Sequence, residues 1–216
     1  MSVAMAEEVK YKPPASIGAP NRRVGGGTRG LPGKDDDERL KNIHLAVLAP
    51  ASTGHTSKTQ PTLYWAISDV IDNPVEIVLS EAYPESFEID PLLDTRLKVE
   101  RAGIHAVSLK EHEVVLKPGV EYEFFVTIIR DPKQRSMDII ASGMLMSIEP
   151  ETGLQQQLAN AKQDELIQTY AANGLWYDLI EHLSSQLQTV SDDKMLREIR
   201  AAFLKQVNLP QIAALE

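Results

Sequence analysis

The feature that most constrains the fold is a series of short apolar runs between residues 43 and 148. In the run 62–68, apolar side chains alternate between two faces, with Leu63, Trp65 and Ile67 on one of them. Comparable runs occupy residues 43–49, 75–79, 104–109, 122–129 and 137–148. Because parallel strands need long crossover connections, runs this closely spaced favour an antiparallel β-sandwich.

Two details refine the type of sandwich. Residues 116–122 lead into a strong strand as a tyrosine corner does, with Tyr122 placed to bond back to the preceding loop. Trp65 stands on an early central strand. Together they predict an immunoglobulin- or fibronectin type III-like sandwich, although any sandwich with an aromatic core would carry similar residues.

The apolar period changes to helical spacing after Glu151. Apolar stripes predict helices on both sides of Asn173-Gly174, and a third helix follows the cap candidates Ser191, Asp192 and Asp193. Residues 166–179 are similar to the middle of a tetratricopeptide repeat. Since one repeat cannot form a solenoid groove, we expect this helical hairpin to pack against the sandwich or against another chain.

Composition divides the chain further. Residues 1–41 are dense in proline and glycine, which disfavour both helix and strand. We therefore predict an irregular arm over residues 1–41, a β-sandwich domain over 42–150 and a helical segment over 151–216.

The distribution of charge restricts the partners. The first segment carries +2, and the other two carry −7 and −4, which together make the net charge of −9. An acidic body disfavours nucleic acid and anionic lipid as partners. No apolar run approaches the roughly 20 residues that cross a bilayer.

The stretch RRVGGGTRG, residues 22–30, resembles a phosphate-binding loop. A dinucleotide site needs a strand before the glycines and a helix after them, and prolines occupy both sides here. The glycines instead indicate main chain lying close against a sheet, or else a backbone nest that binds an anion or a partner's carboxylate. The candidate residues are Arg22, Arg23, Gly25, Gly26, Gly27 and Arg29, with Arg135 as a further candidate whose alternative role is to pair with Asp131 or Asp138.

Trp176 and Tyr177 form a second candidate contact. Adjacent helical residues point about 100° apart, so we expect one ring inside the hairpin and the other on the sandwich or a partner. Burial statistics of aromatic side chains nevertheless favour burial of both rings within this chain.

Chemical sites are not indicated. The chain has no cysteine, its five histidines do not follow metal-ligand spacing, and no nucleophile motif is present. We therefore expect no metal, no cofactor and no enzymatic activity.

Several blocks together resemble a bacterial family catalogued as domain of unknown function 928. The matching blocks are residues 22–30, 45–50, 61–67, 116–122, 131–136 and 170–178. Members typically carry a secretory leader, so the resemblance implies export. Members often have two cysteines where this chain has Leu31 and Arg130, and the resemblance implies that a disulfide between them would be missing here.

The start of the chain agrees with export. Ala4-x-Ala6 before an acidic stretch is typical of the end of a leader, although an ordinary cytosolic start is the alternative. We expect a periplasmic or secreted, non-enzymatic interaction protein that binds a protein partner or its own copies. One alternative is a carbohydrate- or small-ligand-binding module using Tyr64, Tyr83 and Phe87, and another is a hydrolase of unfamiliar signature.

Overall fold

The computed structural model describes residues 9–14, 23–25, 40, 42–84, 90–190 and 193–216. Within these residues the chain is mixed α and β, with two sheets followed by helices. The strands are β1 (Leu45–Val47), β2 (Gly54–Thr56), β3 (Thr62–Ile67), β4 (Ile71–Glu81), β5 (Leu93–Val99), β6 (Gly103–Ser108), β7 (Glu121–Ile128) and β8 (Ile139–Ser147). The helices are α1 (Thr152–Asn160), α2 (Gln163–Ala172), α3 (Trp176–Thr189), α4 (Lys194–Gln206) and α5 (Pro210–Ala213), and a 3-10 turn spans Arg135–Met137.

The strands form two sheets, one of order β1-β3-β6 and one of order β2-β8-β7-β4-β5. All pairs are antiparallel except β2 with β8, where Gly54 is opposite Leu145 in a parallel register. The sequence predicted only antiparallel pairing. A parallel pair needs a long connection, and here β3 to β7 all lie between the two strands in sequence.

The two sheets approach each other closely at Gly143 of β8. A Cβ at this position would lie 2.8 Å from the Cβ of Ala49 and 3.1 Å from Cγ2 of Val47, next to β1. The register of β8 with β7 continues through Gly143 without a bulge. Glycine is therefore required here by the close approach of the two sheets and not by a bulge.

The tyrosine corner is present locally. The hydroxyl of Tyr122 accepts a hydrogen bond from the main-chain N–H of Lys117 at 3.0 Å, and the side chain is buried. This bond fixes how the chain turns into β7.

Helices α2 to α5 share the apolar core of the sheets, whereas α1 contributes no buried residue to it. Gly174, in the left-handed region at φ +71°, turns the chain between α2 and α3. Asp193 caps α4 by accepting a bond from the N–H of Leu196 at 3.1 Å, while Ser191 and Asp192 lie outside the described residues. None of the helices in the described parts has the length and apolar character to cross a membrane.

Two described parts of residues 1–41 contact the rest of the chain. Val24 pairs with Ala46 at the outer edge of β1. The N–H of Lys12 donates to the carbonyl of Ala171 at 3.0 Å, and the ring of Tyr11 packs edge-on against Trp176. The strands fall in 45–147 and the helices in 152–213, and the division into an arm and two further segments stays a prediction.

Candidate interaction site

Arg23 is bound within the chain. Its NH1 group donates to the carbonyl of Ala49 at 3.3 Å and also to the carbonyl of Val207. The guanidinium is half-buried, and desolvation lowers its pKa. Arg23 thus joins the end of β1 to the helical segment, which accounts for it without an external anion.

Gly25 shows the close approach expected of the glycine block. Its N–H donates to the carbonyl of Leu45 at 2.8 Å, and a Cβ on it would lie 2.8 Å from Cγ2 of Ile139. Bare main chain therefore lies against the sheet at this position. Arg22, Gly26, Gly27 and Arg29 lie outside the described residues, so the anion nest built from them stays a prediction.

Changing Gly25 to alanine should therefore destabilise the protein. The new methyl group collides with Ile139, and we expect the free energy of unfolding in urea to fall by about 1 kcal/mol. The control is Gly153→Ala in α1, where a Cβ meets nothing within 4 Å, and which we expect to be neutral or stabilising by up to about 1 kcal/mol. Equal effects of the two changes would contradict the close approach.

Arg135 lies in the turn before β8, paired with carboxylates. Its Nε donates to Asp138, and its NH2 group donates to Oε2 of Glu76 at 2.6 Å. The hydrogen bond from Arg135 is the main reason that the pKa of Glu76 lies below its usual value. The pairing with Asp138 is the turn role that the sequence left open for Arg135.

Trp176 and Tyr177 are both buried, at 0% and 1% exposure, so they do not offer a surface to a partner. Nε1 of Trp176 donates to the carbonyl of Leu48 at 2.8 Å, and the hydroxyl of Tyr177 donates to the carbonyl of Met144 at 2.8 Å. Burial of both rings within this chain, the outcome that burial statistics favour, is observed, and the expectation that adjacent rings cannot enter one core is wrong. The first turn of α3 is embedded where both sheets can be reached, so directions 100° apart both lead inward.

Of the three aromatic residues suggested for a glycan site, the two that the structure describes do not share one exposed surface. Tyr64 is buried at 5% exposure, Tyr83 is exposed at 64%, and Phe87 lies outside the described residues. Burial is also the largest cause of the rise in the pKa of Tyr64 to about 12.

Ser57 and Asp178 form a buried polar contact that ties a loop to a helix. The N–H of Ser57 donates to Oδ2 of Asp178 at 3.0 Å, and the Ser57 hydroxyl donates to Oδ1. Burial raises the pKa of Asp178. In the described parts of the chain, no group of three or more histidine, aspartate and glutamate side chains could hold a metal ion.

Three of the four sheet edges are covered or charged. Main chain from Arg23 to Gly25 lies along β1. Helix α3 covers β2, where a Cβ on Gly54 would lie 2.8 Å from the Tyr177 ring. Charged, exposed side chains alternate along β5, namely Asp94, Arg96 and Lys98, and such side chains hinder the pairing of another strand.

The fourth edge is β6, whose residues include no lysine, arginine, aspartate or glutamate. The N–H of Leu109 donates to the carbonyl of Pro61, which sets the alternation of the β3–β6 ladder. The main-chain groups of residues 104, 106 and 108 therefore point away from β3. The carbonyl of Ile104 accepts from NH2 of Arg101 at 3.1 Å, whereas the outward groups of the exposed Ala106 have no partner among the described residues.

A polar cavity of about 280 Å³ adjoins this edge, between β6 and the helices. Its arginine side chains are Arg101, Arg197 and Arg200, and its one carboxylate side chain is that of Glu216. Arg200 holds Glu216 in a two-pronged contact, with nitrogen–oxygen distances of 2.6 and 2.8 Å, and its NH1 group donates to Ser184 at 2.7 Å.

His105 fixes the chain at the mouth of this cavity. Its ring stacks on Trp65 with centroids 4.6 Å apart, and Nε2 lies 3.0 Å from the carbonyl oxygen of Arg101. Desolvation lowers the pKa of His105. The segment from Arg101 to His105 is therefore held as a defined turn leading into β6.

Comparison with family models identifies one match. The model of the family described as Domain of Unknown Function (DUF928) matches residues 24–216. The chain belongs to this family. The matched range contains every described strand and helix, and no curated protein shows significant sequence similarity to the chain.

The residues that distinguish the β6 edge were not singled out from the sequence. Arg101, Ala106, Arg200 and Glu216 carry no motif, and they meet only through the fold. The sequence does contain one indication of an unprotected edge strand, the uncharged run GIHAVS at residues 103–108. It contrasts with the charged run LDTRLKV at residues 93–99. Without the strand order, however, neither run could be recognised as an edge.

Proposed function

We propose that this protein is a non-enzymatic interaction protein that binds an extended segment of a partner protein along the edge of β6. The observation that carries the proposal is the outward N–H and C=O of Ala106, which have no partner among the described residues and lie on an uncharged edge strand. An added strand would satisfy both groups and extend the three-stranded sheet.

The energetics of this edge favour a segment that pairs through its main chain. Each new hydrogen bond contributes about 0.5–1.5 kcal/mol, so main-chain pairing gives affinity with little dependence on sequence. The short, small side chain of Ala106 leaves room for an approaching strand. A second acidic copy is less suited than a different protein, because two chains of net charge −9 repel each other.

The compartment that we propose is the periplasm or the exterior of the cell. Its support is the Ala4-x-Ala6 pattern near the start of the chain and the leaders that the family resemblance implies. An exported protein meets partners whose extended termini and loops are accessible.

We also propose a closer fold assignment. The bond between Tyr122 and Lys117 and the buried Trp65 support an immunoglobulin-like arrangement of the two sheets. The turn at Gly174 between α2 and α3 supports a tetratricopeptide-like hairpin.

The variant Ala106→Pro tests the proposed edge. Proline removes the outward N–H of residue 106, while the ladder to β3 uses residues 105 and 107 and keeps its bonds. With a photo-cross-linking residue at the exposed Lys110, we expect whole cells to yield a discrete adduct whose amount falls at least about tenfold in Ala106→Pro. Fractionation of the same cells should place the adduct in the periplasm or medium.

Two controls make this experiment specific. Ala106→Val keeps the N–H and suits a strand, so it should retain the adduct. The photo-cross-linking residue placed at Lys98 of β5 should give none. Circular dichroism verifies that each variant is folded. An adduct insensitive to Ala106→Pro in a folded protein, or no adduct from Lys110, would refute binding at β6.

A further inference from the structure

We infer that the segment bound at β6 carries a carboxylate, which Arg101 receives at the mouth of the neighbouring cavity. This inference rests on the proposed function and adds the chemistry of the ligand. It is carried by the contact that Arg101 makes in the free protein and by the charge of the cavity.

Arg101 occupies a hydrogen-bonding position that an added strand would use. Its NH2 group donates to the outward carbonyl of Ile104, which is one of the groups that a new strand would use. Once an N–H of the partner takes over this carbonyl, the guanidinium of Arg101 loses its acceptor. It then lies beside the bound segment, and a carboxylate is the acceptor that a guanidinium binds most strongly.

The charge of the cavity favours the same ligand. Of the three arginine side chains that line it, Arg200 pairs with the Glu216 carboxylate and Arg197 donates to the main-chain oxygen of Glu216 at 3.2 Å, whereas Arg101 donates to a neutral main-chain carbonyl. A local excess of cations on an acidic protein attracts an anionic group and steers it to this place. A lysine-bearing segment would be repelled, which gives the edge a selectivity that main-chain pairing lacks.

The chain itself shows that this cavity accommodates a carboxylate. Glu216 receives Nε and NH2 of Arg200 at 2.6 and 2.8 Å, in the side-by-side geometry of a strong guanidinium–carboxylate pair. The bound segment leaves this inner pair in place and uses Arg101, whose side chain is exposed at the mouth. Its carboxylate could come from an aspartate or glutamate side chain or from a free C-terminus.

The experiment selects ligands from random sequences, so it does not require the partner to be identified first. Two phage libraries of random short peptides, one internal and one ending in a free C-terminus, are selected on the full chain and counter-selected on Ala106→Pro. We expect the surviving peptides to carry an acidic residue at a constant position, or to come from the library with free C-termini. The two libraries separate the two sources of the carboxylate.

Affinities of a selected peptide then assign the role of Arg101. Fluorescence anisotropy measures the dissociation constant of each peptide. Arg101→Gln should raise the dissociation constant of the acidic peptide about tenfold, the size expected for loss of a charge-assisted hydrogen bond. The same variant should not change the affinity for a control peptide in which glutamine replaces the acidic residue or the C-terminus is amidated. Lys98→Gln on β5 makes the same charge change and should have little effect, and added salt should reduce the preference for the acid.

The outcomes separate the two proposals. Peptides that depend on Ala106 but show no acidic preference, or an acidic preference that survives Arg101→Gln, would overturn the carboxylate inference and leave the edge intact. A selection that yields no peptide sensitive to Ala106→Pro would overturn both.

Discussion

Replacing Trp176 with alanine is expected to lower the free energy of unfolding by about 3–5 kcal/mol. The ring is 0% exposed, donates to the carbonyl of Leu48 and packs against Tyr11. Its removal opens a cavity and leaves a buried carbonyl of the β1 end without its partner. Urea unfolding followed by circular dichroism measures the change.

A matched variant separates the ring from its hydrogen bond. Trp176→Phe keeps an aromatic ring and loses the donor to Leu48, so we expect a loss of about 1–3 kcal/mol, smaller than that of alanine. Because Trp176 connects α3 with the strands, both variants should unfold in one transition. A separate early loss of helical signal, with the sheets intact, would show that the contact does not couple them.

Replacing Arg200 with methionine should lower the free energy of unfolding by about 3–5 kcal/mol, because it leaves the carboxylate of Glu216 buried without its ion-pair partner. Both side chains of this pair are nearly buried, at 9% and 5% exposure. Arg200 also donates to the hydroxyl of the buried Ser184 at 2.7 Å. A surface ion pair would contribute less than about 1 kcal/mol, so burial decides the size of this effect.

The double variant Arg200→Met with Glu216→Leu distinguishes destabilisation by an unpaired buried charge from destabilisation by lost packing. Two apolar side chains of similar volume should recover most of the stability, since a buried ion pair contributes little more than a well-packed apolar pair. Thermal and urea unfolding of the two singles and the double complete a mutant cycle. A double variant as unstable as Arg200→Met would show that the guanidinium stabilises by its contacts rather than by neutralising Glu216.

The strands that could be predicted from the sequence are those with a clear apolar period. The run 62–68 alternates around Trp65 and forms β3, and the helical periods after Glu151 form helices. Strand β5 was missed although Leu93, Leu97 and Val99 alternate with charged residues, which is the period of a half-exposed strand. Strand β2 was missed because Gly54–Thr56 is too short to show a period and lies in a polar loop.

The site was less accessible to sequence reasoning than the fold. The glycine block indicated locally that main chain lies close against a sheet, and the close contacts of Gly25 agree with that prediction. Whether a strand is an edge depends on the order of strands in the sheet, which for β6 is set by its pairing with β3 alone. Arg101 and Arg200 reach one cavity from elements far apart in sequence, and no local pattern encodes that meeting.

The pairing of Val24 with Ala46 also occupies the β1 edge of the smaller sheet. A fibre of strand-paired subunits grows only when each subunit has two free strand edges, so that it can pair with a neighbour on each side. In the described part of the smaller sheet, the N-terminal segment already occupies one side. A strand that added to β1 would therefore have to displace this segment, whereas β6, the edge that we propose for a partner, requires no such displacement among the described residues.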